Sequence, residues 1–249
     1  MIELKHIDII FNKGTELENH VLKDINLRVN DGEFVTIIGG NGAGKSTIMN
    51  VLSGDLIPSN GSIFIDGQEV TKLTTEKRSG MVARVFQDLM IGTFADLTIE
   101  ENMSLAASRG KKRGLALSSN NQLKRKFKNV LQELGIGLEN RLQDKVSNLS
   151  GGQRQALSLI MATLQDAKIL LLDEHTAALD PKIGKLIMDI TEKIIKKHKL
   201  TALMITHSMC HALQYGGRTM MMYQGQIVRD IIAEERKMLS PDDLIEYFI

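Results

Sequence analysis

The apolar run from Phe34 to Ile38 passes without a break into GGNGAGKS, Gly39 to Ser46. That junction dictates a strand, a glycine loop and a helix in that order. Glycines let the backbone wrap so that successive amides point inward, and a helix opening near Lys45 adds its positive end. Such a cradle suits the phosphates of a nucleotide. Gly39, Asn41, Gly42, Ala43 and Gly44 would line it, with Lys45 reaching the β- and γ-phosphates. Ser46 offers a hydroxyl to Mg²⁺ and Thr47 a further hydrogen bond to phosphate. A glycine-rich turn before a helix would explain the loop alone, but not the complete pattern behind a strand.

A second segment, ILLLDE at Ile169 to Glu174, is an apolar strand that stops abruptly on two carboxylates. Buried strands rarely end so without a ligand. Asp173 is expected to hold Mg²⁺ through its hydration shell, and Glu174 to orient and deprotonate an attacking water. Between the two motifs lies LSGGQRQ, Leu149 to Gln155. Its serine and glycine amides at a helix start form an anion site with no use inside the same pocket. It reads as half of a sandwich whose other half is a second copy of the chain.

The rest of the chain is consistent with an α/β fold. Strands are expected at Glu3 to Ile9, Ile25 to Val29, Phe34 to Ile38, Ser62 to Ile65 and Val82 to Phe86. From about Asp88 to Thr163 the apolar spacing turns helical, through Leu105, Leu123, Phe127, Val130, Leu131 and Leu134, with Gly135 and Gly137 as stops. Strands return at Ile169 to Asp173, Thr201 to Ile205, Thr219 to Tyr223 and Gln226 to Ile231. A helix opening at Pro181 places Ile183, Leu186, Ile187, Ile190, Ile194 and Ile195 on one face, and strand, helix, strand implies a parallel crossover. The expected division is a core from residues 1–87 and 164–249 with a helical insertion at 88–163. The carboxyl end, SPDDLIEYFI, reads as a short packing helix.

Composition excludes several classes. With 43% hydrophobic and 24% charged residues in 249, the chain fits a globular protein rather than a disordered or collagenous one. A net charge of +1 gives no support for a nucleic-acid partner. The basic clusters RGKKR (Arg109 to Arg113) and KRKFK (Lys124 to Lys128) read as a solvated helical face, or else as a contact for acidic lipid headgroups. No segment approaches the ~20 apolar residues that cross a bilayer, and one cysteine, Cys210, read as a small packing residue, suits a reducing compartment.

The order of these motifs resembles the nucleotide-binding subunit of an ATP-binding-cassette (ABC) transporter over nearly the whole chain. The resemblance implies the P-loop NTPase fold of that family: a RecA-like mixed sheet, an amino-terminal antiparallel β-subdomain and an inserted helical subdomain. It implies that Gln87 contacts the metal and attacking water, that His207 contacts the γ-phosphate, and that Asp180 in HTAALD crosses a dimer. Phe11 would lie against adenine, and Ser150, Gly151, Gly152 and Gln153 would face the ATP of the other copy in a head-to-tail pair. Lys45, Gln87, Glu174 and His207 would carry catalysis, with Ser46, Gln87 and Asp173 at the metal.

Two residues depart from the pattern of most relatives. His175 stands where proline is usual, adding a titratable group beside the catalytic carboxylate, and Ala178 stands where serine is common. DEHTAALDPK resembles a branch of bacterial importer ATPases. The resemblance therefore implies an ATPase peripheral to the cytoplasmic face of the membrane, bound to permease subunits and served by an extracytoplasmic substrate-binding protein, with aromatic amino acids as cargo. The alternatives are a non-transport ABC ATPase, acting as assembly factor or regulator of a cell-wall enzyme, and a phosphate-loop kinase, which would leave LSGGQRQ and His207 unexplained.

Overall fold

The structure, a computed structural model, describes residues 1–110 and 121–246. Lys111, Lys112 and Arg113 of the first basic cluster lie outside them, as does the end of the carboxyl-terminal segment. In chain order the elements are β1 (Ile2–Phe11), β2 (Asn19–Val29), β3 (Phe34–Gly39), α1 (Lys45–Ser53), β4 (Asn60–Ile65), β5 (Gln68–Glu69), α2 (Thr75–Arg78) and β6 (Val82–Val85). Then come α3 (Ile99–Ala107), α4 (Asn121–Gln132), a 3₁₀ turn at Val146–Asn148, α5 (Gly151–Thr163), β7 (Ile169–Asp173) and α6 (Pro181–His198). The last are β8 (Thr201–Ile205), α7 (Met209–Gln214), β9 (Arg218–Tyr223), β10 (Gln226–Ile231), α8 (Ala233–Arg236) and α9 (Pro241–Glu246).

Two sheets result. The first is antiparallel, in the order β2-β1-β4-β5, and the second runs β10-β9-β3-β8-β7-β6. In the second sheet β6, β7, β8, β3 and β9 are parallel, and only β10 runs against its neighbour. Its strands read as nearly continuous apolar runs because both faces are covered. Val35, Ile37, Val82, Ile169, Leu171, Leu203 and Ile205 face a core shared with the antiparallel sheet and α1. The alternating residues Phe34, Ala83, Val85, Leu170, Leu172, Ala202 and Met204 face a core shared with Phe127, Leu131, Leu157 and Ile187 of the helices.

Helix α1, which carries the phosphate loop at its start, is fastened at its other end by a buried guanidinium. Arg78 donates to the carbonyls of Val51 (2.7 Å) and Leu52 (3.0 Å), satisfying groups that the end of a helix leaves without partners. The same side chain reaches Val70, Thr71 and Leu73 carbonyls. Helix α6 begins as expected, with Asp180 as its cap accepting from the Ile183 amide and Pro181 in the first turn.

Some expectations need correction. β2 begins at Asn19, six residues before Ile25, because register shifts along its pairing with β1 hide the alternation. Leu186 is 41% and Leu105 39% exposed, so neither belongs to the core stripe of its helix. Cys210 lies exposed on α7 instead of packing inside. Among the described residues no helix is long and apolar enough to cross a membrane.

Candidate active site

The carboxyl ends of β3, β7 and β8 converge on one cavity of about 260 Å³, lined by Val21, Asn41, Gly42, Ala43, Gly44, Lys45, Ser46, Thr47, Glu174 and His207. Parallel neighbours in register put these strand ends side by side, which is where ligands meet an open α/β sheet. The loop from β3 to α1 takes its shape from Gly42 (φ 75°) and Gly44 (φ 98°), both in the left-handed region. A side chain at Gly44 would also sit 2.7 Å from Leu22 Cδ2, and one at Gly39 2.5 Å from the Met222 carbonyl. The antiparallel sheet and β9 thus brace the loop from behind. Val21 and Leu22 belong to the part of β2 that the sequence pattern conceals.

Lys45 is 6% exposed and folds back on its own loop, donating to the carbonyls of Gly39 (2.7 Å) and Gly40 (2.9 Å). Burial pushes its pKa down, while Glu174 and Asp173 pull the other way. Glu174 leaves β7 with φ 46°, a left-handed conformation that costs a non-glycine residue on the order of 1 kcal/mol. This turn sends its side chain to His207, with Oε1 2.6 Å from Nε2. His207 follows β8, and its ring is half exposed while Glu174 is only 12% exposed. Glutamate and histidine thus meet at the mouth of the phosphate cradle.

His175 behaves differently from the titratable neighbour expected. It is 2% exposed, its Nε2 lies 3.1 Å from Thr191 Oγ1, and burial lowers its pKa to about 4. Because Thr191 Oγ1 already donates to the Ile187 carbonyl, Nε2 carries the proton of this contact. His175 is a neutral tie between the turn after β7 and α6, not a charged partner of Glu174.

The remaining candidates lie elsewhere. Gln87 is exposed just past β6, and Phe11 ends β1 at 40% exposure. Asp180 is exposed at the start of α6. Ser150 caps α5 in a reciprocal box: its hydroxyl accepts from the Gln153 amide, and Gln153 Oε1 accepts from the Ser150 amide, each at 3.3 Å. The S-x-x-Q spacing of SGGQ carries that signal. Gly151 and Gly152 follow as the first two helical residues, where backbone amides lack partners within the helix. None of Ser150, Gly151, Gly152 or Gln153 lines the phosphate cavity of its own chain.

Arg84 was not anticipated. It projects from β6 onto the face that carries α1, and its Nη2 donates to Asp173 Oδ2 at 2.6 Å. A lone arginine within the apolar strand VARV was the available signal. Among the described residues no group of three or more His, Cys, Asp or Glu could hold a metal. An ion bound here would draw on the oxygens of Asp173, Ser46 and Gln87 and on phosphate. This hard-oxygen set fits Mg²⁺.

Strand, glycine loop, buried lysine and a carboxylate turn at the sheet's carboxyl edge define a phosphate-loop ATPase. The profile of the ABC transporter family matches residues 22–177. A tyrosine transport ATP-binding protein of Clostridioides difficile (strain R20291) is 41% identical over all of this chain and 98% of its own length. A methionine import ATP-binding protein, MetN of Vibrio vulnificus (strain YJ016), is 33% identical over 97% of this chain and 70% of its own. The dimeric structure of MJ0796, a bacterial ABC transporter cassette, superposes with a TM-score of 0.80 at 30% identity, covering 94% of this chain and 99% of that one. Its post-hydrolysis state bound to ADP and Pi gives 0.79. The chain belongs to the ABC transporter family, as an ATP-binding and ATP-hydrolysing subunit.

Proposed function

We propose that two copies of this chain close head to tail on ATP and reopen when it is hydrolysed, driving a permease that imports an aromatic amino acid. One observation carries the reading: the phosphate loop shares its cavity with Glu174 and His207, while the amides at the start of α5 lie outside it. Each copy therefore offers two half sites, the phosphate cradle and the start of α5. Ser150 to Gln153 complete the cradle of the partner copy, and Asp180, the cap of α6, crosses the dimer.

Within a closed site Lys45 leaves the carbonyls of Gly39 and Gly40 for the β- and γ-phosphates, and Phe11 stacks on adenine. Ser46, Gln87 and Asp173 would hold Mg²⁺, which when bound neutralises phosphate charge. Glu174 takes a proton from the attacking water, and His207, already at its side, steadies the γ-phosphate. Loss of that phosphate removes the contact shared by both copies, so they separate.

Support for a membrane partner comes from Met90, Ile91 and Phe94, which follow Gln87 and are 57%, 48% and 60% exposed. An apolar patch beside the nucleotide-sensing glutamine fits a permease loop. The partners are thus integral permease subunits, with an extracytoplasmic binding protein delivering cargo, and the chain sits peripherally at the cytoplasmic face. The tyrosine transport relative supports the cargo class.

Sedimentation of Glu174→Gln with MgATP tests the assembly, with a dimer expected and a strict monomer at saturating nucleotide overturning it. Uptake of labelled tyrosine by vesicles carrying the chain with its permease tests the cargo. Transport of other solutes only would reject aromatic amino acids.

A further inference from the structure

The two oxygens of Asp173 have unequal company. Oδ2 accepts from Arg84 Nη2 at 2.6 Å, whereas Oδ1 accepts no hydrogen bond among the described residues. The guanidinium is itself held from three sides. Nη1 donates to Asn50 Oδ1 at 2.7 Å and to Asp55 Oδ2 at 3.3 Å, and the Phe86 ring lies 4.7 Å from the guanidinium carbon. Asp55 is fixed in turn by the hydroxyls of Ser53 (2.6 Å) and Thr75 (2.7 Å). Arg84 and Asp173 are 11% and 13% exposed, so this contact is largely shielded from water.

Asn50 belongs to α1, the helix that carries Lys45 and Ser46 at its start. The arginine therefore spans the two elements that would supply oxygens to the metal. A planar, forked donor can do this because its two ends are set at a constant separation, which a lysine ammonium cannot imitate.

We propose that Arg84 is a positioning residue of the metal site, clamping Oδ2 of Asp173 so that Oδ1 is held toward the ion and in register with α1. This rests on the assignment of Asp173 to Mg²⁺. Its charge would by itself repel a cation, so orientation and repulsion predict opposite signs when Arg84 is removed. Partners that orient a metal ligand typically contribute 10- to 100-fold to metal affinity.

The experiment is titration of Mn²⁺ into the ATP-loaded chain, with free Mn²⁺ followed by electron paramagnetic resonance and ATP affinity measured separately in EDTA. Arg84→Met is expected to raise the half-saturating Mn²⁺ about tenfold while leaving metal-free ATP affinity unchanged. Arg84→Lys should recover little of it, since one ammonium cannot serve both Asn50 and Asp173. Asn50→Ala, a milder change, should shift the titration about threefold in the same direction and serves if Arg84→Met does not fold. Unchanged or tighter Mn²⁺ binding in the folded variants would overturn the proposal. Asp173→Asn separates the two levels: if it too leaves Mn²⁺ binding unchanged, the metal-site assignment fails rather than the role of Arg84.

Discussion

At the scale of single residues, the chemistry turns on what Glu174 and Lys45 do in a closed site. Glu174 is strained into a left-handed turn and paired with His207. Glu174→Gln keeps the shape of the side chain and one acceptor oxygen but removes its basicity. Turnover should fall ~10²- to 10⁴-fold, about 3 to 5 kcal/mol of transition-state stabilisation, with ATP affinity retained. Normal steady-state phosphate release would exclude Glu174 as the base. In the proposed mechanism Lys45 acts earlier, at binding, because its ammonium is buried at the cradle floor beside the carbonyls of Gly39 and Gly40. Lys45→Ala should weaken ATP binding itself at least tenfold by calorimetry. Undiminished affinity would contradict its assignment to the phosphates.

At the scale of elements, packing explains residues that chemistry alone would claim. A Cβ at Gly152 would meet Ile183 Cγ2 at 2.3 Å, so α5 and α6 approach closely where each begins. Ile183 is β-branched and yields little. Gly152→Ala should cost about 1 to 2 kcal/mol in urea unfolding, and pairing it with Ile183→Ala should abolish that increment. Arg78→Met would strip five carbonyls of their buried donor, two of them at the end of α1, and should cost on the order of 3 kcal/mol or more. A loss under 1 kcal/mol would mean that water replaces the guanidinium.

Elements with strong local signals were legible in the sequence. The doubly buried strands β3, β7 and β8 announce themselves as apolar runs, and Asp180-Pro181 marks the start of α6 to the residue. What stayed hidden depends on contacts between distant segments. The first half of β2 is masked by bulges, α2 and α7 are too short for periodicity, and Arg84 gains its meaning only when β6 lies beside β7. His175 likewise reads as a titratable neighbour until the fold buries it and Thr191, sixteen residues on, accepts its hydrogen bond.

At the scale of the whole molecule, the phosphate cradle and the start of α5 are separate sites joined by one sheet with a core on each face. In the proposed head-to-tail pair each nucleotide site would be made from both chains. That arrangement has a consequence independent of overall stability. Combine Lys45→Ala in one chain with Ser150→Glu, which sets a carboxylate against phosphate, in the other, both on the Glu174→Gln background. Both defects then fall in the same site, leaving the second intact. Placing both substitutions in one chain and pairing it with a chain bearing Glu174→Gln alone spreads one defect to each site. The first mixture should trap about one ATP per dimer, and the second should trap little. The reverse order would mean that each chain completes its own site, and equal trapping would mean that the start of α5 touches neither ATP and needs another ligand.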